Sequence, residues 1–405
     1  MPRNSRGLKA RYMKMTASRR SFLASSAALP LAFRSLAQRP AVPRWVFLGT
    51  DKGPGIVRCS WDPATGKLGE PELAVKSERP GFFALHPRLP RLYVGNELMD
   101  GAGCVSSFHV DAAKGTLEFA DKQSSMGDGP CYVSVDRSGR LAFAANYAGG
   151  SFTAFRLKPD GALLPSTASL DCRNNPACGT QGPVKDRQDA SHLHCANVSP
   201  DGYFVLACDL GNDSIEVFPV HPEEFSMKLQ AIGPPQRFSA RPGSGPRHMG
   251  FHPKGSWLYV IHELDCTVEL FDWSAQIGKA SLRRREGSAV STLVAGAKPD
   301  GDTGCEIIVA NDGRFVYTCT RGAHSNTLTA FAVNAKTGLL TQQQVIPCGG
   351  DVPRHMAFDP TYRWLLVANQ VGSTVTVFGH DARTGKLSGP VQTLATDTPM
   401  FVQFI

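Results

Sequence analysis

Residues 245–265 read GPRHMGFHPKGSWLYVIHELD, two short apolar segments joined by a turn at Pro253-Lys254-Gly255. Segments of this length that are bounded by Gly and Pro are typical of β-strands. Nearly the same pattern returns in residues 352–372, VPRHMAFDPTYRWLLVANQVG. The recurrence of one strand–turn–strand unit along a chain indicates a repeat architecture.

The unit can be aligned seven times along the chain, at intervals of about 50 residues. Each copy has room for about four short strands, and one such sheet cannot bury both of its faces alone. The sequence therefore predicts an all-β fold, a seven-bladed β-propeller of four-stranded blades, over residues 38–405. The terminal strand PMFVQFI, residues 399–405, has no blade of its own, so we expect it to complete the first blade and close the ring.

The basic character of the chain is confined to its first residues. The formal net charge is +8, from 43 basic and 35 acidic residues. Residues 1–37 contain eight of the basic residues and none of the acidic ones, so the remainder has 35 of each sign. A neutral remainder argues against nucleic acid as a partner.

Residues 1–37 also have the features of an export signal. The pair Arg19-Arg20 is followed by an apolar run that ends at Phe33 and by small residues near Ala37. The run is too short to span a bilayer, and paired arginines in this position are typical of twin-arginine signals. We expect cleavage near Ala37 and a mature periplasmic or secreted protein without a membrane span; a basic disordered tail is the alternative.

All eleven cysteines lie beyond this leader. Most fall within apolar strands, where a small buried side chain is the expected role. Cys172 and Cys178, in the loop DCRNNPACGT, are the one candidate pair for a disulfide, and the sequence leaves open whether they are bonded. The surrounding insertion, residues 171–190, separates the third and fourth blades and is expected to lie over the channel mouth.

The repeat register predicts where the polar side chains gather. The first strand of a blade lines the central channel, and its start meets the end of the second strand at one rim. Blades four to seven therefore direct five charged or titratable residues at one channel mouth: His194, Arg247, Glu263, Arg321 and Arg354. Packing gives no reason to collect these groups there, which indicates a functional site.

Four segments in this order resemble the lactonase family of seven-bladed propellers: RQDASHLHCANVSPDG (187–202), GPRHMGFHPKGSWLYVIHEL (245–264), CEIIVANDGRFVYTCTRG (305–322) and VPRHMAFDP (352–360). The resemblance extends over residues 45–405. The family includes bacterial 6-phosphogluconolactonases and the fungal 3-carboxy-cis,cis-muconate lactonizing enzyme, whose proposed active site is a His, two Arg and a Glu. Matching the motifs implies a catalytic quartet in this chain: His194, Arg247, Glu263 and Arg321.

The surroundings of this quartet depart from the family's usual motifs. The chain has Ser191-His192-Leu193-His194 where Pro-His-x-His is common, His262-Glu263 for Asn-Glu, Thr320-Arg321-Gly322 for Asn-Arg-Gly, and Glu306-Ile307-Ile308 for Glu-Ile-His. The intact quartet favours a lactonase-like site, whereas the altered surroundings argue against assuming the usual substrate.

The quartet contains the groups that hydrolysis of a small anionic lactone needs. Glu263 or His194 could act as general base, with the other assisting as acid. Arg247 and Arg321 could bind the anionic substrate and the oxyanion. Four further residues are predicted to bind substrate: His192, His248, Glu306 and Arg354. His192 and His194 share a strand face, but two ligands do not make a metal site, so no metal or other cofactor is predicted.

Two other functions fit the same residues. One is the cycloisomerase reaction, in which they would transfer a proton at a carbon next to a carboxylate. The other is a non-catalytic periplasmic binding propeller that presents its rim to a protein or glycan. Residue by residue, Glu263 and Arg321 could instead form a structural ion pair between adjacent blades, and His194 could simply line the channel. We expect an exported monomeric lactonase-type hydrolase. Export argues against 6-phosphogluconolactone, a cytoplasmic metabolite, as its physiological substrate.

Overall fold

The computed structural model describes residues 44–405 except residues 167, 221–234 and 277. The predicted leader, residues 1–37, lies outside the described residues. Within them the chain forms thirty β-strands and one 3₁₀-helix, Pro176–Cys178. The strands pair into seven antiparallel sheets, and each sheet is one blade.

Each blade consists of four or five strands. Blades one and two contain β1 (Trp45–Thr50), β2 (Gly55–Asp62), β3 (Lys67–Leu68) and β4 (Glu72–Lys76), then β5 (Pro80–Leu85), β6 (Arg91–Asn96), β7 (Cys104–Asp111) and β8 (Thr116–Ser124). Blades three and four contain β9 (Pro130–Val135), β10 (Leu141–Asn146), β11 (Ser151–Arg156) and β12 (Ala168–Asp171), then β13 (Asn197–Val198), β14 (Phe204–Asp209), β15 (Ser214–Pro219) and β16 (Gln236–Ser239). Blade five contains β17 (Pro246–Phe251), β18 (Trp257–His262), β19 (Thr267–Gln276), β20 (Lys279–Arg284) and β21 (Val290–Ser291). Blades six and seven contain β22 (Thr303–Val309), β23 (Phe315–Arg321), β24 (Thr327–Val333) and β25 (Leu340–Pro347), then β26 (Pro353–Phe358), β27 (Trp364–Asn369), β28 (Thr374–Asp381) and β29 (Lys386–Ala395). The last strand is β30 (Pro399–Phe404).

The terminal strand closes the ring as the sequence predicts. β30 is the innermost strand of blade one and pairs antiparallel with β1, with Val46 opposite Phe404 and Leu48 opposite Val402. It also contacts β26 of blade seven and β5 of blade two. The first blade is therefore built from both ends of the described chain, and the prediction of a seven-bladed propeller is confirmed.

The hydrophobic core lies between successive blades. Every residue of β6, β10 and β14 is buried, because a neighbouring blade covers each face of these second strands. Between blades three and four, the rings of Phe152 and Phe218 stack with centroids 4.6 Å apart. This two-sided burial explains why the second strands have continuous apolar sequences and do not alternate with polar residues.

His86, His252 and Asp359 precede turns and cap the chain reversals. His86 Nδ1 accepts a backbone N–H of its own turn at 2.9 Å, and Asp359 Oδ1 does the same at 2.9 Å. The other ring nitrogen of His86 lies 3.1 Å from the carbonyl oxygen of Gly139 in the next blade. His252 repeats this arrangement with Gly313 at 3.0 Å. The two histidines therefore cap turns and also link adjacent blades.

The cysteines follow their predicted roles. Cys172 and Cys178 form a disulfide within the insertion between β12 and β13. The other nine cysteines are free and buried. Among the described residues, no helix has the length and apolar character needed to cross a membrane.

Candidate active site

A β-bulge interrupts the first strand of several blades at the channel mouth. In blade five, Pro246 pairs with His262 and His248 with Ile261, which leaves Arg247 without a partner across the ladder. Equivalent bulges occur in β5, β9, β22 and β26. A bulge re-aims side chains, and here it lets consecutive residues such as Arg247 and His248 both line the channel.

Glu263 follows β18 and is held by the backbones of two blades. Its N–H donates to the carbonyl oxygen of Gly245 at 2.7 Å, and its own carbonyl accepts the N–H of Gly304 at 3.0 Å. Gly245 has φ of 62°, and a Cβ added there would lie 2.5 Å from the side chain of Leu264. Only glycine meets both conditions, so Gly245 explains how the chain brings Arg247 and Glu263 together.

The Glu263 carboxylate is buried and surrounded by cations. Oε2 lies 3.0 Å from Arg247 Nε, an ion pair whose angle falls outside a regular hydrogen bond. Oε1 accepts a hydrogen bond from Arg187 Nη2 at 2.5 Å. His194 Nε2 lies 3.9 Å from Oε2. The structure therefore brings three of the four predicted catalytic residues into one cluster.

Both titratable members of this cluster have lowered pKa values. Burial alone would raise the pKa of Glu263, but the charges of Arg321, Arg247 and Arg187 outweigh it and lower the pKa. The pKa of His194 lies well below its usual value, first because of burial and then because of nearby positive charges, Arg247 foremost. Around neutral pH, Glu263 is therefore ionised and His194 is neutral.

The two predicted catalytic arginines have different surroundings. Arg247 is 1% exposed, and its Nη1 donates to the carbonyl oxygen of Cys305 at 2.6 Å. Arg321 ends β23 and is half-buried. Its charge lowers the pKa of Glu263. Among the described residues, however, its guanidinium has no hydrogen-bond or ion-pair partner. Arg321 is therefore the member of the quartet that is free to bind an anion.

A buried layer of titratable and aromatic groups lies below Arg247. His248 Nδ1 is 2.9 Å from Glu306 Oε1, and His355 Nε2 is 3.7 Å from Glu306 Oε2. The ring of Phe82 stands edge-on to both histidines. The cavity that these residues line has room for about one water molecule. A lactone would therefore have to bind at the mouth, above this layer, and not deep in the channel.

The residues predicted to bind substrate have partners within the protein. Both oxygens of Glu97 accept hydrogen bonds from Arg354, at 2.7 and 2.9 Å. The ring nitrogens of His192 lie 3.0 Å from the carbonyl oxygen of Tyr147 and 2.9 Å from Asp189 Oδ1. His248 and Glu306 pair with each other. Their contribution to substrate binding stays a prediction. In the described part of the chain, no group of three or more His, Cys, Asp or Glu side chains is arranged to hold a metal ion.

Three residues that contact predicted site residues were not predicted from the sequence. Arg187 comes from the insertion, whose conformation follows no blade register. Tyr147 stacks on His192 at 4.6 Å and stands edge-on to His194 at 5.1 Å, and it follows the polar position that ends the second strand of blade three. Glu97 follows the same position in blade two. Glu263 is also the residue that follows the last residue of a second strand. Examining the equivalent position in the other blades would therefore have identified both Tyr147 and Glu97.

The described chain is a closed ring of seven blades with a buried His–Glu–Arg cluster at one channel mouth. The chain matches the family model described as "Lactonase, 7-bladed beta-propeller" over residues 46–404. This match covers nearly the whole described chain, so the protein belongs to that family.

Relatives and solved structures extend over almost the same length. The chain is 32% identical over 351 residues to a 6-phosphogluconolactonase of Bacillus subtilis (strain 168), covering 87% of this chain and 94% of the relative. It is 29% identical to a 6-phosphogluconolactonase of Formosa agariphila, covering 87% and 97%. The crystal structure of a periplasmic gluconolactonase from Pseudomonas aeruginosa superposes with a TM-score of 0.79 at 29% identity, covering 89% of this chain and 98% of that one.

Proposed function

We propose that the protein hydrolyses small anionic lactones at the mouth of the central channel. The observation that carries the proposal is the buried Glu263 carboxylate, which lies among guanidinium groups and 3.9 Å from the imidazole of His194. A buried ionised carboxylate beside a neutral imidazole is an arrangement expected of acid–base catalysis. Family membership and the names of the relatives support lactone hydrolysis as the reaction class.

The charges around Glu263 favour His194 as the general base. A proton on Glu263 would leave a neutral carboxyl among Arg187, Arg247 and Arg321, which is electrostatically unfavourable. A proton on His194 would instead form an imidazolium 3.9 Å from the ionised carboxylate, whose negative charge offsets part of the repulsion from Arg247. In this mechanism His194 takes and returns the proton, and Glu263 stays ionised as its electrostatic partner.

Hydrolysis would proceed in two proton transfers. His194 removes a proton from water while the water oxygen attacks the lactone carbonyl carbon, forming a tetrahedral oxyanion. The ring C–O bond then breaks, and the leaving alkoxide takes the proton from His194, which gives the open-chain hydroxy acid. Arg321, which is half-buried and unpaired among the described residues, is suited to hold the oxyanion or the anionic group of the substrate.

The protein is also proposed to act after export. The arginine-paired leader lies outside the described residues, but the Cys172–Cys178 disulfide is typical of an oxidising compartment. The Pseudomonas aeruginosa neighbour is itself described as a periplasmic gluconolactonase. A lactone that carries a carboxylate and no phosphate is therefore the preferred substrate class for testing, with 6-phosphogluconolactone and the neutral gluconolactone as comparisons.

A lactone panel tests the function directly. Purified protein is incubated at neutral pH with gluconolactone, 6-phosphogluconolactone and a muconolactone, and the products are followed by base consumption and by NMR. Release of the hydroxy acid from at least one lactone, above the spontaneous rate, is expected. Formation of an unsaturated diacid would indicate the cycloisomerase reaction. No turnover of any lactone, with binding only, would support a non-catalytic propeller and contradict the proposal.

A further inference from the structure

The insertion between blades three and four delivers a charged side chain to Glu263. Arg187 Nη2 lies 2.5 Å from Glu263 Oε1 and 3.5 Å from the hydroxyl of Tyr147. The Arg187 side chain is 37% exposed, whereas that of Glu263 is 4% exposed. Arg187 therefore lies on the solvent side of the carboxylate, whereas Arg247 holds its other oxygen from within the channel.

The turn that carries Arg187 is fixed by its own hydrogen bonds. The N–H groups of Arg187 and Gln188 both donate to the carbonyl oxygen of Val184, at 3.0 and 2.7 Å. The amide oxygen of Gln188 accepts the N–H of Val184 at 2.9 Å. A turn with this many internal bonds presents its side chains in one orientation, which Arg187 needs in order to reach a buried partner.

This turn is also anchored to blade four. The side-chain amide of Gln188 donates to the carbonyl oxygen of Leu210 at 2.9 Å, and the N–H of Gly182 donates to that of Gly211 at 2.9 Å. Gly211 approaches the backbone so closely that an added Cβ would lie 1.6 Å from the carbonyl oxygen of Ala190. The insertion is therefore docked on the propeller, and Arg187 reaches from it across to blade five.

We propose that Arg187 is a positioning residue of the active site, which orients Glu263 towards His194 and keeps its carboxylate ionised during turnover. The proposal rests on the proposed function, in which Glu263 is the electrostatic partner of His194. It assigns a task to an insertion that lies outside the propeller repeat. A substrate that enters the mouth would meet Arg187 before it reaches Glu263.

Several charged or titratable groups face Glu263, from separate elements. They are Arg187 and His194 from the segment between blades three and four, Arg247 from β17, Arg321 from β23 and Tyr147 from the turn after β10. Of the three arginines, Arg187 is the one that donates a regular hydrogen bond to the carboxylate. Its removal should therefore raise the pKa of Glu263, although Arg247 and Arg321 still oppose protonation.

The variant Arg187→Met tests this role through the pH dependence of kcat/KM for a lactone that the wild type hydrolyses. A neighbouring opposite charge lowers a carboxyl pKa by about 1–3 units, so we expect the acid limb of the profile to move up by about one pH unit. Above the new limb, kcat/KM should recover most of its wild-type value. Arg187→Lys, which keeps the charge, should show a smaller shift.

Lys185→Met is the matched control, because Lys185 is an exposed cation of the same turn. Its removal takes the same charge from the insertion without touching Glu263, so the acid limb should stay in place. If the acid limb of the kcat/KM profile lies at the same pH in Arg187→Met as in Lys185→Met, Arg187 has only a structural role and the proposal fails.

The pH dependence of Tm provides a readout that needs no enzymatic activity. Glu263 has a lowered pKa in the folded protein, so its ion pairs stabilise the fold above its unfolded-state pKa and are lost as the pH falls through the folded value. The Tm difference between wild type and Arg187→Met should therefore be largest near neutral pH and shrink below about pH 4. If no lactone is hydrolysed, this pattern would still support the Arg187–Glu263 coupling while the proposed function fails. A Tm difference that does not change with pH would overturn the coupling.

Discussion

Replacing Arg247 by Met removes the guanidinium that holds Glu263 from within the channel. The side chains of Arg247 and Glu263 are 2% and 4% exposed, so solvent screens their interaction very little. Removing one partner of a buried ion pair costs about 3–5 kcal/mol. Because Glu263 keeps its hydrogen bond from Arg187, we expect the lower end, about 3 kcal/mol. The orphaned carbonyl oxygen of Cys305 adds about 1 kcal/mol, for a total near 4 kcal/mol.

Urea unfolding of a double-mutant cycle isolates the pair from the other losses. The free energies of unfolding are measured for wild type, Arg247→Met, Glu263→Gln and the double variant. The double variant should be more stable than the sum of the single losses predicts, by about 2 kcal/mol, because residues in one ion-pair network couple by about 0.5–3 kcal/mol. Additive losses, within about 0.5 kcal/mol, would refute the electrostatic description of the site.

Two further predictions concern the mouth and the insertion. Arg321→Met should lower kcat/KM by about 100-fold, as expected for an oxyanion donor. It should lower Tm less than Arg247→Met does, because Arg321 acts on Glu263 through its charge and not through a described hydrogen bond. Steady-state kinetics and thermal unfolding check this, and an unchanged kcat/KM would remove Arg321 from the site. Replacing Cys172 and Cys178 together by Ser should destabilise the protein by about 2 kcal/mol, the loop-closure term for so short a loop. Urea unfolding measures this loss, and equal stability would show that the disulfide does not constrain the insertion.

The strand repeat predicts the architecture because every blade packs against its neighbours in the same way. The middle of each second strand is mostly apolar, since a blade covers it on either side, and six copies of this pattern can be recognised in the sequence. The closing role of residues 399–405 follows from the number of strands. One strand remains after the seven repeats, and it can pair only with the incomplete first blade. The same register correctly brings His194, Arg247 and Glu263 to one mouth.

Contacts that break the repeat could not be predicted from it. The bulges beside Arg247 and Arg354 fall at the Pro-Arg-His motif of the two repeats, but strand periodicity alone does not indicate that the ladder shifts there. Arg187 lies in an insertion, where no register relates sequence position to position in space. The register allows an ion pair between Arg321 and Glu263, whereas the partners of Glu263 are Arg187 and Arg247. Which of several nearby arginines pairs with a carboxylate depends on side-chain reach, which strand periodicity does not determine.

The most direct test of the acid–base site is kcat/KM for His194→Gln and Glu263→Gln on the best lactone of the panel. Glu286→Gln is the matched control, since Glu286 is an exposed glutamate elsewhere in blade five. Loss of the base or of its partner should lower kcat/KM by about 100-fold or more, while Glu286→Gln stays at the wild-type value. Full activity in either His194→Gln or Glu263→Gln, with the fold intact by thermal unfolding, would contradict the proposed mechanism.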